Sequence, residues 1–171
     1  MNTRPDSTEY DPYYAGYVTL VPDGDIAATL AAQLQSPLAV WRTLSEEQGG
    51  YAYAPDKWTI KELLGHVIDS ERIFAYRALR IGRNDPAPLS GYEQDDYVAN
   101  TNFNSRTLGS LIEEFAAVRE AGVQLFKHFT DAEWLRRGTA NGKEISARAL
   151  AYVIAGHALY HTGILKSRYL K

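Results

Sequence analysis

The chain has 171 residues, 45% of them apolar and 23% charged, with a formal net charge of −3. That is the composition of one globular domain with a core of its own, and its negative balance argues against a nucleic-acid binder working through a large basic surface. There is no cysteine, which excludes disulfides, thiolate zinc sites and a cysteine nucleophile, so any metal must rest on histidines and carboxylates.

No stretch is long and apolar enough to span a membrane, and the N-terminus lacks the apolar segment of a signal peptide; a cytoplasmic protein is expected. Residues 1–24 read as a Tyr-rich N-terminal arm ahead of a single domain over 25–171. Met1 to Ser7 is a polar tail expected to be mobile. Tyr10, Tyr13, Tyr14 and Tyr17 follow, and an extended arm that packs these rings over the domain, or over a second subunit, fits them.

The first helix is predicted from about Asp25 to Glu47, with Ile26, Leu30, Leu34, Leu38, Trp41 and Leu44 on its inner face. Pro37 falls inside it and predicts a kink near Gln33 to Ser36, because proline removes a helical hydrogen bond and crowds the preceding turn. The second helix opens on Thr59-Ile60-Lys61-Glu62, a capping box, and runs to about Ile81. Its stripe is Ile60, Leu63, Leu64, Val67, Phe74 and Ala78, with His66 on the flank. Glu71 lies within the stripe. A buried carboxylate needs a partner, which could be an arginine, a polar network or a metal-bound histidine, the ion pair being the commoner solution.

Residues 82–104 form a long connection rich in turn signals (Asp85-Pro86, Pro88, Ser90-Gly91). A loop of that length in a compact domain is usually functional or covers something, and Tyr92, Tyr97 and Phe103 give it material to pack with. The third helix spans about Thr107 to Phe129, with His128 as an ordinary exposed or capping residue at its end. Thr130-x-x-Glu133 marks a short further turn, and Asn141-Gly142 a tight one.

The last helix runs from the N-cap Ser146 to Lys171. Leu150, Val153, Ile154, His157, His161, Ile164, Leu165 and Arg168 share one side of it. His157 and His161 are either core residues with hydrogen-bond partners or, at this i, i+4 spacing, two rings able to converge on one metal ion. A third ligand would come from another helix, and His66 is placed for it. Three histidines leave coordination positions open for water or substrate. Gly65 and Gly156 precede two of these histidines. A close approach of helices beside the site would explain glycine there, as would simple relief of packing. With no convincing strand, the elements sum to an all-α four-helix bundle with a long crossover between the second and third helices.

The segment from Trp58 to Arg72, WTIKELLGHVIDSER, resembles the second-helix motif of the DinB/YfiT-like (DinB superfamily) metalloenzymes, and Gly156-His157-Ala158-Leu159-Tyr160-His161 resembles that family's HxxxH fourth-helix motif. The resemblance covers nearly the whole chain. It implies a frequently dimeric four-helix fold whose divalent metal (zinc or nickel first, iron or manganese otherwise) is held by His66, His157 and His161. It also implies a thiol S-transferase that uses a low-molecular-weight thiol such as bacillithiol, mycothiol or glutathione against an electrophile held under the 82–104 loop. A metal-dependent hydrolase and a non-catalytic metal-binding stress-response module are the alternatives. No catalytic group stands out; Glu71, Asp69 and Tyr160 are the candidates for orienting the ligands.

Overall fold

A computed structural model of the protein describes residues 3–170. Met1 and Asn2 of the predicted tail, and Lys171 at the end of the predicted last helix, lie outside the described residues. The rest of the tail makes contacts with the chain that follows. Arg4 donates to the carbonyls of Val18 (2.8 Å) and Val21 (2.6 Å) and to Asp23 (2.7 Å). The Tyr-rich segment is coiled rather than extended. Asp6 and Asp11 cap successive 3-10 turns at Ser7–Glu9 and Pro12–Tyr14, and helix α1 (Ala15–Leu20) follows.

Proline splits the first rod. The predicted single kinked helix is two helices, α2 (Ile26–Ala32) and α3 (Ser36–Arg42), with Pro37 in the first turn of α3, where its missing N–H costs no hydrogen bond. A short α4 (Glu46–Gly49) ends the segment. Helix α5 (Ile60–Gly82) begins at the predicted capping box: Thr59 Oγ1 accepts from the Glu62 N–H at 3.1 Å, and Glu62 Oε2 accepts from the Thr59 N–H at 2.8 Å. The crossover carries α6 (Gln94–Ala99) and a 3-10 turn at Phe103–Ser105. Helix α7 (Leu108–Lys127) ends on exposed His128, and α8 (Asp131–Leu135) starts at the Thr130/Glu133 capping box.

The expectation of no strand fails at Asn141-Gly142. This turn, with both residues at positive φ (51° and 71°), closes an antiparallel hairpin of β1 (Arg137–Ala140) and β2 (Lys143–Ser146). Leu89 of the crossover bridges to Ala140, its N–H donating to the Thr139 carbonyl at 2.9 Å.

Ser146 caps α9 (Ala147–Ile164). The bundle consists of α2 with α3, α5, α7 and α9; α5 packs on α7 and α9, and the split rod closes the other side against the same two. Its core has two apolar halves. One gathers Ile26, Leu30, Phe74, Phe126 and Val153, the other Leu38, Trp41, Leu64, Phe115 and Leu165. Each rod changes from one half to the other at a polar residue: Gln33, Glu71, Arg119 and His157, all buried. Buried polar groups persist only when they find partners, so this layer is where chemistry is to be sought.

Helix α9 is buried on nearly every side, not along one stripe. Ala149, Ala151, Tyr152 and Ala155 are as buried as Leu150 and Ile154, because α1 packs across the face a bare bundle would leave to water. At its C-terminus α9 widens into a π turn (Leu165–Tyr169), which brings Tyr169 inward and leaves Arg168, predicted for the inner stripe, exposed.

Candidate metal centre

His66 sits two turns into α5, and His157 and His161 are one turn apart on α9. The α5–α9 packing brings all three together in the interior, each no more than 7% exposed. The Nε2 of His157 lies 3.1 Å from that of His66 and 3.0 Å from that of His161. One ligand atom from each ring lies within 4.8 Å of those of the other two.

Burial governs the protonation of these rings. A charged imidazole is disfavoured away from water, so His66 is pushed down to about 4 and His161 to about 3. His157 falls well below its ordinary range for the same reason, reinforced by the charges of His161, His66 and Arg119. Neutral rings carry lone pairs. Ser70 Oγ, 3.5 Å from His66 Nδ1, is placed to accept a proton held there, and this tautomer frees the His66 Nε2 lone pair toward the other two rings. Three neutral nitrogens this close together are a donor set that zinc, nickel, iron or manganese accepts. His161 Nδ1 has no hydrogen-bond partner among the described residues. The residues fit a divalent ion.

Aromatic rings wall the trio. Trp58 lies over His66 (4.8 Å between centroids), and Tyr17 meets His157 edge-on at 5.3 Å, as Phe74 does at 5.8 Å. Burial raises the Tyr17 phenol, so it stays protonated at neutral pH. Two clefts with no lining residue in common reach the histidines. One, of about 400 Å³, is bordered by Tyr14, Tyr17, Phe74, Arg77, Tyr92 and His157. The other, of about 450 Å³, is bordered by Tyr53, Trp58, Asp95, His161 and Tyr169.

Of the three residues expected to orient the ligands, Glu71 and Asp69 have ion-pair partners and Tyr160 stands beside His161. Glu71 forms a buried ion pair with Arg119, as the commoner solution had it. Arg119 also donates to Gln33, whose Nε2 donates to the Ala155 carbonyl at 3.1 Å, two residues before His157. Asp69 pairs with Arg72 at 3.7 Å. Tyr160 is 44% exposed, its ring 5.2 Å from that of His161. Sequence reading missed Ser70 and Tyr92, whose hydroxyls meet at 2.7 Å. The hint was Ser70 at i+4 from His66, the same spacing that singled out His157 and His161. The two glycines mark close approaches, though not of bundle helices to each other. A methyl group on Gly156 would run into the Tyr17 carbonyl, and one on Gly65 into the Phe103 ring.

Comparisons with known proteins bear on the fold and the family. A search of curated proteins returned no match. Among solved structures, the chain is similar to YfiT from Bacillus subtilis, described as "a probable metal-dependent hydrolase with an unusual four-helix bundle topology". The two superpose with a TM-score of 0.70 at 12% identity, over 95% of this chain and 89% of that one, a likeness of fold. A model of the DinB superfamily matches residues 27–165, which include α5, α9 and all three histidines. The chain belongs to the DinB superfamily.

Proposed function

We propose that the protein is a divalent-metal-dependent enzyme acting on small molecules: a thiol S-transferase that joins a low-molecular-weight thiol to an electrophile. The observation that carries this reading is the pair of separate clefts, one ending at His157 and the other at His161. Two molecules can then reach the same three nitrogens by different routes, as a transfer between two substrates requires.

His66, His157 and His161 would be the ligands, kept neutral by burial and therefore ready to bind without first losing a proton. A bound divalent ion supplies Lewis acidity that lowers the pKa of a thiol at its open position. The rings of Trp58, Tyr17 and Phe74 narrow the approach to the trio. The sulfur would bond to the electrophilic carbon as the bond from that carbon to its leaving group breaks, the leaving group taking the electron pair and the thiol proton going to it or to solvent. The reduced thiols concerned belong to the cytoplasm, where the protein is placed on this reading. A homodimer is part of it too, supported by the family resemblance and by the exposed Tyr13 and Leu20 of the arm; light scattering checks it.

Hydrolysis is the second reading, favoured by the description of YfiT. One experiment separates the alternatives. Protein loaded with zinc or nickel is screened with bacillithiol, mycothiol and glutathione against a panel of electrophiles, and with esters and amides in the absence of thiol. Metal-dependent consumption of thiol supports the transferase. Turnover without thiol replaces it with the hydrolase, and silence from a fully loaded site leaves a metal-binding module without catalysis.

A further inference from the structure

Three arginines, Arg77 and Arg119 buried and Arg148 partly so, can be compared by what neutralises them. Arg119 has Glu71, and Arg148 has Glu9. Arg77, on α5, is 3% exposed, and no carboxylate among the described residues lies within ion-pair distance of it. One of its N–H groups donates to the Ser90 carbonyl at 2.6 Å, and its guanidinium carbon stands 5.9 Å from the ring centres of both Phe74 and Tyr92. A guanidinium out of water without a counter-ion is costly, and the fold meets that cost on the wall of the cleft that ends at His157. The Phe74 ring lies between the two along the same wall, its centre 5.9 Å from the Arg77 guanidinium carbon and 5.8 Å from that of the His157 ring.

The other charges of the cleft decide which anion suits it. Lys143 is offset by Asp11, 3.5 Å away, and Glu93 is exposed at the rim, where water screens it. One uncompensated positive charge remains. It matches a monoanion whose two oxygens a guanidinium can fork, rather than a phosphate dianion. Much of the remaining wall is aromatic, from Tyr14, Tyr17, Phe74 and Tyr92, with Ala140 and the uncharged polar Gln94 and Asn141 also lining it.

We propose that Arg77 is a substrate-carboxylate receptor, and that the molecule delivered to the histidines through this cleft is a small monocarboxylate with a flat apolar or aromatic body. This rests on the reading that the cleft serves a working metal centre, and it names the class of one of the two substrates.

The test is binding, measured by calorimetry on metal-free and on zinc-loaded protein. The probes are benzoate and 3-phenylpropionate, their primary amides, and phenyl phosphate. A charge-assisted pair lost from a desolvated site corresponds to at least about a tenfold loss of affinity. The carboxylates should therefore bind metal-free protein at least about tenfold more tightly than the amides. Arg77→Gln should erase that preference and Arg77→Lys should keep part of it. Amides binding as well as acids would overturn the proposal, as would phenyl phosphate outbinding the carboxylates, or no binding at all. The acid–amide comparison needs no variant, so a poorly folding Arg77→Gln does not shield the proposal. Zinc that fails to bind while the metal-free preference stands would sink the metal reading and spare Arg77; zinc that binds while acids and amides are equal would do the reverse.

Discussion

Glu71 and Arg119 meet in a two-pronged ion pair across the middle of the bundle, Nε to Oε1 at 2.5 Å and Nη2 to Oε2 at 2.8 Å, both closed off from solvent. Removing one partner strands the other in a medium that cannot solvate it. Glu71→Ala should therefore destabilise the protein by about 3–5 kcal/mol. Urea unfolding measures it, and a loss below about 1 kcal/mol, the value of a surface pair, would show that the pair is not sealed in as described.

Acid should unfold the metal-free protein in a defined window. Folded-state values near 4 for His66, near 3 for His161 and well below 6.5 for His157 lie under the roughly 6.5 of an unfolded chain. The unfolded chain therefore takes up protons first as pH falls. The stability these rings contribute is whole above about 6.5 and is lost as pH falls toward 4 and then 3, on the order of 1.4 kcal/mol for each tenfold difference in proton affinity. Melting temperatures taken across that range should fall, and His161→Ala should flatten the slope. A flat wild-type profile would mean that the histidines are not buried and neutral.

Added zinc or nickel should raise the melting temperature at neutral pH and lose that effect in acid, since protons compete for the same nitrogens. His157→Ala should abolish the shift, because its Nε2 is the atom near both of the others. His128→Ala should leave it intact, because that residue is exposed at the end of α7. If His157→Ala keeps the full shift, the three-histidine site is wrong.

Two glycine-to-alanine changes on one helix should have opposite signs. A methyl group at Gly156 collides with the backbone carbonyl of Tyr17, whereas one at Gly163 meets open space. Gly156→Ala should cost about 1–3 kcal/mol by forcing α1 off α9, and Gly163→Ala should gain up to about 1 kcal/mol. Thermal melts of the two variants decide it, and equal effects would deny the close approach.

What the sequence made legible was local. Thr59 and Glu62, Thr130 and Glu133, and the Ser146 cap declare themselves within four residues, and the i, i+4 spacing of His157 and His161 is itself a helix-surface distance. The bundle followed from apolar periodicity. Pro37 showed that the first rod is interrupted, but whether a proline kinks a helix or starts a new one depends on what α7 and α9 offer the freed backbone. The hairpin was hidden because four-residue strands carry almost no period. Tyr92, Arg77 and the α1 contact at Gly156 belong to pairings made through the crossover or across most of the chain, at separations that follow no helical or strand period.

The contact between Tyr17 and Gly156, with Glu9 receiving the Ser146 hydroxyl at 2.7 Å, makes this a protein whose order of synthesis and order of assembly run opposite ways. Helix α1 leaves the ribosome early, but the surface it covers is made some 140 residues later. The nascent chain must carry Tyr17 without its α9 partners, His157 and Tyr160, until that helix emerges. Until then it also lacks two of the three histidines, so a stalled or truncated product has neither a finished core nor a site that can seize metal.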